Sequence, residues 1–490
     1  MELTEQETVR REKLKNITQY TNSYPDRFEI THELTEAKEL ADGTKGVRVA
    51  GRILLMRVMG KLTFIKISDL YGSIQLAIKS DMVGEEQYEF FKSYFDIGDY
   101  IGVEGEMFTT NTGERTVRVS TFYFLGKALK PLPEKFHGLT DPELCYRKRY
   151  VDLIMNEDTR KRFILRFEFL KHIRRYLEDL GYTEIETPVL MNKPSGALAR
   201  PFIAHHNALD MDVYLRIAPE TYLKRAVVAG INKVFEVARC FRNEGVDSTH
   251  IQDFTMIEGY CAYYNYKDTM DLIRDMLTTV LKKILGTTVI NLGGNQIDLA
   301  QEWKVVTFRD VILEHTSIDI NVYNTKELLL GKIQELDLQL ESETDIKLLG
   351  FGNLVDLLYK RMARPKIINP TFLIEHPIEL SPLARANDEN IKVADRFQLI
   401  INGAEMVNAY SELVDPIEQR KRLEEQAKLN AAGDEDAMVM DNDYIDAMEY
   451  GMPPISGWGL GVDRFLQVIT ESPNIRDVVM FPLMRPLDKD

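Results

Sequence analysis

Between residues 46 and 129 the chain settles into a two-residue rhythm. The runs VRVAGRILLMRV, LTFIKISD, SIQLAIK, YIGVEGEMF and TVRVSTFYFL alternate apolar with polar residues, and Gly, Asp and Asn stand between them. A strand sends successive side chains to opposite faces, so this pattern describes half-buried strands. Ile65 and Ile67 fall on one face, as do Ile74, Leu76 and Ile78 on the next run. Five strands within about eighty residues suit a small barrel of the OB type. The other face carries Phe64 beside Lys66 and Ser68, with Gln75 on the polar face of the neighbouring strand. An aromatic ring among amides and lysines suits base stacking and edge contacts. It equally suits a surface ring covered by the N-terminal helix or a neighbouring loop.

The flanking text has other periods. Residues 1–45 read as a helical extension through VRREKLKNI, broken at SYPDRF because the residue before proline avoids the helical region. Residues 130–158 form a linker, Pro-rich and then basic at Arg147, Lys148 and Arg149; these three suit a phosphate backbone or a solvated helix face. From Thr159, Phe163, Phe167, Leu170, Ile173, Leu177 and Leu180 recur at helical spacing, and Gly181 follows as a cap. YTEIETPVL is then extended, with Pro188 confining it to an edge or a strand end. Residues 159–490 mix strands such as KVFEVARCF, FTMIEGYCAYY and FQLIINGAEMVNAYSEL with helices over 221–230, 268–285, 416–430 and 461–470. Strands gathered in hairpins imply an α+β domain with a mainly antiparallel sheet flanked by helices. The acidic stretch 431–444 reads as a solvated loop.

Composition excludes some classes. No apolar run approaches the ~18–20 residues of a membrane span, and the polar start MELTEQETVRREKLKN lacks the core of a secretory signal. Cys145, Cys240 and Cys261 are three, widely spaced, and form no disulfide framework, so a reducing cytoplasm is expected. The net charge of −16 disfavours nucleic acid over the average surface but leaves room for a local basic stripe.

Three segments carry chemistry. ARCFRNEGVDSTHIQDFTMIEGY (238–260) reads as a hairpin bearing Arg242, Glu244, His250, Phe254 and Glu258. Arginine offers a planar fork to phosphate, phenylalanine can stack on a purine and glutamate can accept from an adenine amino group. Together they describe an ATP clamp, or else an Arg–Glu pair on a surface turn. GWGLGVDRF (457–465) has the look of a Gly-rich nucleotide loop with Arg464 at a helix start. NGAEMVNAYSEL (402–413) alternates on a strand and presents Glu405, Asn408 and Glu412. Buried carboxylates there need a magnesium ion, a cationic substrate or a structural arginine.

The order of these segments, Thr187-Pro188, then FRNE…H…F, then GWGLGVDR, is similar to the three-part signature of class II aminoacyl-tRNA synthetases. The chain resembles the class II lysyl-tRNA synthetases through KFHGLTD, YRKRYVDL, ARPFIAHHNALDMDVYLRIAPETYLKR, FRNEG, SPLAR, PPISGWGLGVDRF and RDVVMFPLMRP. VAGRILLMRVMGKLTF looks like that family's anticodon-binding OB domain. The resemblance implies that lysine is activated with ATP and passed to tRNA(Lys). It assigns Arg242 to the α-phosphate and the lysine carboxylate, Glu244 to adenine, His250 to the β/γ-phosphates, Phe254 to the purine ring and Arg464 to the γ-phosphate, with Arg242 and Arg464 the catalytic pair. It assigns Gly196, Glu220 and Glu258 to the α-ammonium of lysine, Tyr260 and Glu412 to its side-chain ammonium, and Asn408 to its carboxylate. Arg57, Phe64, Gln75 and Glu114 match anticodon contacts, and Glu405 and Gln398 match Mg2+ ligands. A homodimer built through GYTEIETP is also implied.

Three positions depart from the family pattern. Thr249 replaces an arginine, Gln398 replaces a glutamate, and Pro194-Ser195-Gly196 stands where a double glycine is common. Aspartate or asparagine as the amino acid is the neighbouring alternative, disfavoured by an acidic pocket. A tRNA-binding relative without turnover is the alternative that Gln398 and Thr249 support.

Overall fold

The computed structural model describes residues 3–133, 139–197, 199–245, 247–340, 346, 349–431 and 438–487. The KFHG of KFHGLTD and residues 432–437 of the acidic stretch, read above as a loop, lie outside the described residues. Two compact units are formed, Met1–Ile164 and Leu165–Asp490.

In the first unit the alternating runs become β1 (Val47–Met59), β2 (Leu62–Ser68), β3 (Ser73–Lys79), β4 (Tyr100–Thr109) and β5 (Arg115–Gly126). They close into a barrel in the order β1-β2-β3-β5-β4. Ile65, Ile67, Ile74, Leu76 and Ile78 all point into its buried core, as their spacing requires. A helix at Glu85–Tyr94, for which strand alternation gave no signal, adds Tyr88 and Phe91 to that core. The N-terminal helix α1 (Glu5–Tyr20) starts at a Thr4–Glu7 capping box. It is tied to the barrel unit by Ile17, fully buried, and by Arg10, which donates to the carbonyls of Ala128 (2.8 Å) and Ile97 (3.0 Å). Arg149 corrects the expectation of a basic surface. It is buried between the rings of Tyr146 and Phe163, with its guanidinium 2.6 Å from Asp152, so it cannot contact a phosphate backbone.

Helix α2 (Glu157–Asp179) leads into the second unit and ends before Gly181, whose φ of +81° suits glycine. Phe163, Ile173 and Leu177 of its apolar stripe are buried, but Phe167 and, just beyond its end, Leu180 are exposed. The sheet contains β6 (Thr183–Glu184), β7 (Lys233–Phe241), β8 (Asp253–Ala262), β9 (Lys304–Thr307), β10 (Thr371–Ile374), β11 (Arg396–Ile401), β12 (Ala404–Ser411) and β13 (Ile455–Gly461). Its order is β9-β10-β11-β12-β13-β8-β7-β6. The two outermost pairings are parallel and the five between them antiparallel. The α+β class with a mainly antiparallel sheet is thus observed.

Helix α3 (Glu220–Val228) precedes the β7–β8 hairpin in sequence and brings Leu223 and Val227 against Val234 and Tyr260. Helix α4 (Tyr266–Leu285) shows how the sheet is covered. Asn265 accepts from the amides of Lys267 and Asp268, and Gly286 closes the helix at φ +72°. Leu272, Ile273, Met276, Leu277, Val280 and Leu281 repeat at three- and four-residue spacing and are buried, each worth about 1.5–3 kcal/mol. A charge at Met276 would have to be buried in that face. Helix α5 (Val462–Ile469) follows β13 directly.

Two expectations are corrected here. The stretch 397–413 is not one strand: Asn402 (φ +50°) and Gly403 (φ +72°) turn it into the β11–β12 hairpin. The glycine-rich GWGLG is not a loop but the central strand β13, paired on both sides.

Candidate active site

Strands β8, β12 and β13, the β7–β8 loop and the start of α5 surround a cavity of about 650 Å³. At one end stand cations. Arg242 is the first residue after β7, held by its amide to the Gln252 carbonyl (2.9 Å), and its guanidinium lies 5.1 Å from the Phe254 ring centre. Its Nε is buried without a hydrogen-bond partner among the described residues. Arg464, in the first turn of α5, lines the same cavity. Burial holds its guanidinium below the ordinary range; Glu405 opposes this, and the charges of Arg364 and Arg242 add to it. Two cavity-lining arginines, with the charge of Arg364 also felt at Arg464 and an orphaned N–H on Arg242, make a site that an anion would relieve.

Glu244 and His250 sit on the exposed lip of this end. Glu244 and Arg242 are not strand neighbours, as a continued strand would make them; β7 ends at Phe241 and both lie in the loop. His250 Nδ1 lies 2.9 Å from Asp247 Oδ2. Burial works against the Asp247 charge, but donors on Thr249 and His250 prevail and hold its carboxyl down at about 2. The loop is anchored through the Ser248 carbonyl, which accepts from Ile475 N (2.8 Å) and Gln467 Nε2 (2.9 Å).

The opposite end is acidic. Glu220, at the start of α3, and Glu258, on β8, are both buried and line the cavity. Gly196, at φ +94°, passes so close to Glu220 that a Cβ there would lie 3.1 Å from that residue's own Cβ. Tyr260 donates to Glu258 Oε2 (3.1 Å). Glu258 is pushed up to about 8, first by burial and then by the charge of Glu220. Glu412 follows β12 and is fully buried behind Gly457. A side chain at Gly457 would strike both the Tyr260 ring and Glu412 Oε1, so this glycine is needed for space. Burial raises the Glu412 carboxyl, against the pull of Lys224, whose Nζ is 2.5 Å away. Asn408 lines the cavity between the two ends and accepts from Arg396 Nε (2.9 Å).

A bulge explains how Glu405 and Asn408, three apart, both reach the cavity. Leu399 pairs with Val407 and Ile400 with Glu405, so Met406 is an extra residue that re-aims Glu405. Gln398 then faces Glu405 across the hairpin and donates to its Oε2 (3.0 Å). The Gln398 amide oxygen is buried without a partner among the described residues. An amide oxygen and a carboxylate beside the arginines form an oxygen donor set that suits Mg2+.

The other four sequence-selected residues lie on the barrel. Arg57 is directly opposite Phe64, and Lys66 is opposite Gln75, which makes Phe64 and Gln75 diagonal neighbours on the outer face. Gln75 donates to Thr116 Oγ1 (3.0 Å), which donates to the Glu114 carbonyl (3.0 Å). Phe64 and Gln75 are half-buried; Arg57 and Glu114 are exposed.

Lys224, Tyr410, Tyr444, Arg396 and Asp247 also shape the cavity and were not singled out from sequence. A signal existed for two. Lys224 is one helical turn after Glu220, and Tyr410 shares the strand face of Asn408 and Glu412.

A chain that carries both a closed five-stranded barrel and a mainly antiparallel sheet, the latter lined by arginines and by carboxylates around one cavity, has the make-up of a class II aminoacyl-tRNA synthetase. Residues 141–485 match the family "tRNA synthetases class II (D, K and N)", and residues 47–125 match the OB-fold nucleic acid binding domain. Similar relatives include the lysine–tRNA ligase of Bacillus subtilis (strain 168), 45% identical over 494 residues, or 99% of this chain and 98% of that one. The lysine–tRNA ligase of Carboxydothermus hydrogenoformans is 46% identical over 493 residues, 99% of each chain. That of Thermosipho africanus is 44% identical over 474 residues, 95% of this chain and 93% of that one. The chain belongs to the class II lysyl-tRNA synthetase family and is an enzyme of the ligase class. Its cysteines are free thiols, and no described helix is long and apolar enough to cross a membrane.

Proposed function

We propose that this chain activates L-lysine with ATP and transfers it to the 3′ end of tRNA(Lys). The observation that carries this reading is the joining of two opposite environments in one cavity. Arg242 and Arg464 are at one end, and Glu220, Glu258 and Tyr260 at the other, with Glu412 behind them. Lysine has two ammonium groups for the acidic end and a carboxylate that meets the arginine end. Aspartate or asparagine would bring a negative or neutral side chain to buried carboxylates, which do not favour it.

In the first step the lysine carboxylate oxygen attacks the α-phosphorus, a P–O bond forms, and the bond to the β-phosphate breaks to release pyrophosphate. The nucleophile is already ionised, so no general base is needed. Rate comes from alignment and from charge stabilisation at phosphorus. Arg242 bridges the carboxylate and α-phosphate, Phe254 and Glu244 take adenine, and His250 and Arg464 hold the terminal phosphates. Glu405 and the Gln398 amide oxygen would hold Mg2+, which when bound neutralises phosphate charge. Asn408 orients the lysine carboxylate. In the second step the adenylate's carbonyl carbon is attacked by a terminal ribose hydroxyl of the tRNA, and AMP leaves.

Arg57, Phe64, Gln75 and Glu114 read anticodon bases on the barrel face. Exposed Phe167 on α2, with exposed Leu180 and Leu190 on either side of GYTEIETP, supports a homodimer through that segment. Function in the cytoplasm follows from this reading. Amino-acid-dependent ATP–pyrophosphate exchange tests it across all twenty amino acids: lysine supports exchange, and exchange with aspartate but not lysine refutes the assignment.

A further inference from the structure

Lys224 is completely buried, yet it carries a charge. Helix α3 places it one turn after Glu220, and the end of β12 brings Glu412 to its other side. Its Nζ is 2.5 Å from Glu220 Oε1 and 2.5 Å from Glu412 Oε2. The ring centres of Tyr410 and Tyr444 are 5.6 Å from it, and that of Tyr260 is 6.0 Å away. Removing an ammonium from water is costly, and paired carboxylates with ring faces are what offset that cost. Burial alone would favour the neutral amine, but the charges of Glu220 and Glu412 hold it well above the ordinary lysine range.

Lys224 meets one oxygen of each carboxylate and leaves the other. Glu220 Oε1 also accepts from Tyr410 (2.6 Å), which fixes its orientation twice over. Neither Glu412 oxygen has a hydrogen-bond partner among the described residues: Oε2 is held by the Lys224 ammonium only as an ion pair, and Oε1 is buried without even that. It fills the gap left by the missing side chain of Gly457, which itself lines the cavity. Three carboxylates, Glu220, Glu258 and Glu412, converge here with one ammonium. With all three ionised, the state that bound lysine draws out, the difference is two negative charges, matching the two ammonium groups of free lysine. Without Lys224, three mutually repelling buried carboxyls would retain protons and turn away from the substrate.

We infer that Lys224 is a positioning residue for the amino acid, its ammonium clamping Glu220 and Glu412 from behind so that their remaining oxygens face the incoming lysine. This rests on the lysine reading above. It makes Lys224 part of amino-acid selection although it does not line the cavity.

The test is Lys224→Met, which keeps the side-chain length and removes the charge, assayed by pyrophosphate exchange beside wild type. The KM for lysine is expected to rise about tenfold or more, because two buried carboxylates lose their partner, while the KM for ATP stays within about twofold. Relative to wild type, whose own lysine affinity rises with pH through Glu258, the variant's lysine KM should fall more steeply between about pH 7 and about 9, where the carboxyls ionise unaided. A packing defect would keep the wild-type pH dependence. Should the methionine variant not fold, Lys224→Leu takes its place, since it also removes the charge and every donor while keeping an apolar side chain. An unchanged lysine KM in a folded variant overturns the inference. So does a parallel rise of both KM values with the wild-type pH dependence. Wild-type protein with no lysine-dependent exchange overturns the lysine reading itself, and the inference with it.

Discussion

Lysine binding should expel a proton from Glu258. In the empty pocket that carboxyl is raised to about 8 by burial and by Glu220, with Tyr260, Lys224 and Arg242 pulling the other way. At pH 7 it is therefore about one-tenth ionised, and making it a carboxylate costs about 1.4 kcal/mol. In the proposed assignment the α-ammonium of lysine meets Glu258 and needs its ionised form. Apparent lysine affinity should thus climb about tenfold per pH unit below about 8 and level off above it. Stability of the empty protein has the matching sign. A carboxyl raised on folding contributes stability that is complete below its unfolded value and is lost as pH rises towards about 8. Bound lysine offsets that loss, so the thermal shift produced by lysine should grow with pH over the same range. The assay is calorimetric titration of lysine near pH 7 in buffers of different ionisation enthalpy. It should report release of close to one proton, and Glu258→Gln should abolish the release. Binding with no proton released, or affinity flat between pH 6 and 8, would refute the reasoning.

Other expectations are as specific. Gly457→Ala should weaken lysine binding and cost about 1–3 kcal/mol of stability, since Tyr260 and Glu412 cannot both withdraw; lysine KM and thermal melting check it. Gln398→Glu removes the amide donor to Glu405 and sets two carboxylates face to face, costing about 1.5–3 kcal/mol without metal. Melting in chelator should fall and then recover with Mg2+. Phe64→Ala should weaken tRNA charging by the ~1–3 kcal/mol of a lost stack and leave pyrophosphate exchange unchanged; a parallel loss of exchange would make Phe64 a folding residue instead.

The legible parts of this fold are those where one period runs uninterrupted. The barrel isoleucines were readable because every second residue is apolar, and α4 because its stripe is continuous. Arg242, Glu258 and Arg464, picked out by motif order and family resemblance, do line one cavity. What escaped was set by partners distant in sequence. Arg149 looks like a surface charge until Tyr146, Asp152 and Phe163 enclose it. Lys224 looks like an ordinary helix lysine until the end of β12 brings Glu412 to it. The bulge at Met406 leaves no pattern of its own, yet it decides where Glu405 points. The Asn402-Gly403 turn carried a recognisable signal that a continuous apolar reading passed over.

The most direct measurement is a crystal structure with lysine and a non-hydrolysable ATP analogue bound together. The side-chain ammonium is expected beside Tyr260 and Glu412, with the lysine carboxylate and the α-phosphate both at Arg242 and the terminal phosphates at Arg464. Lysine seated elsewhere, or a triphosphate that leaves Arg242 and Arg464 untouched, would contradict the joining of the two ends in one site.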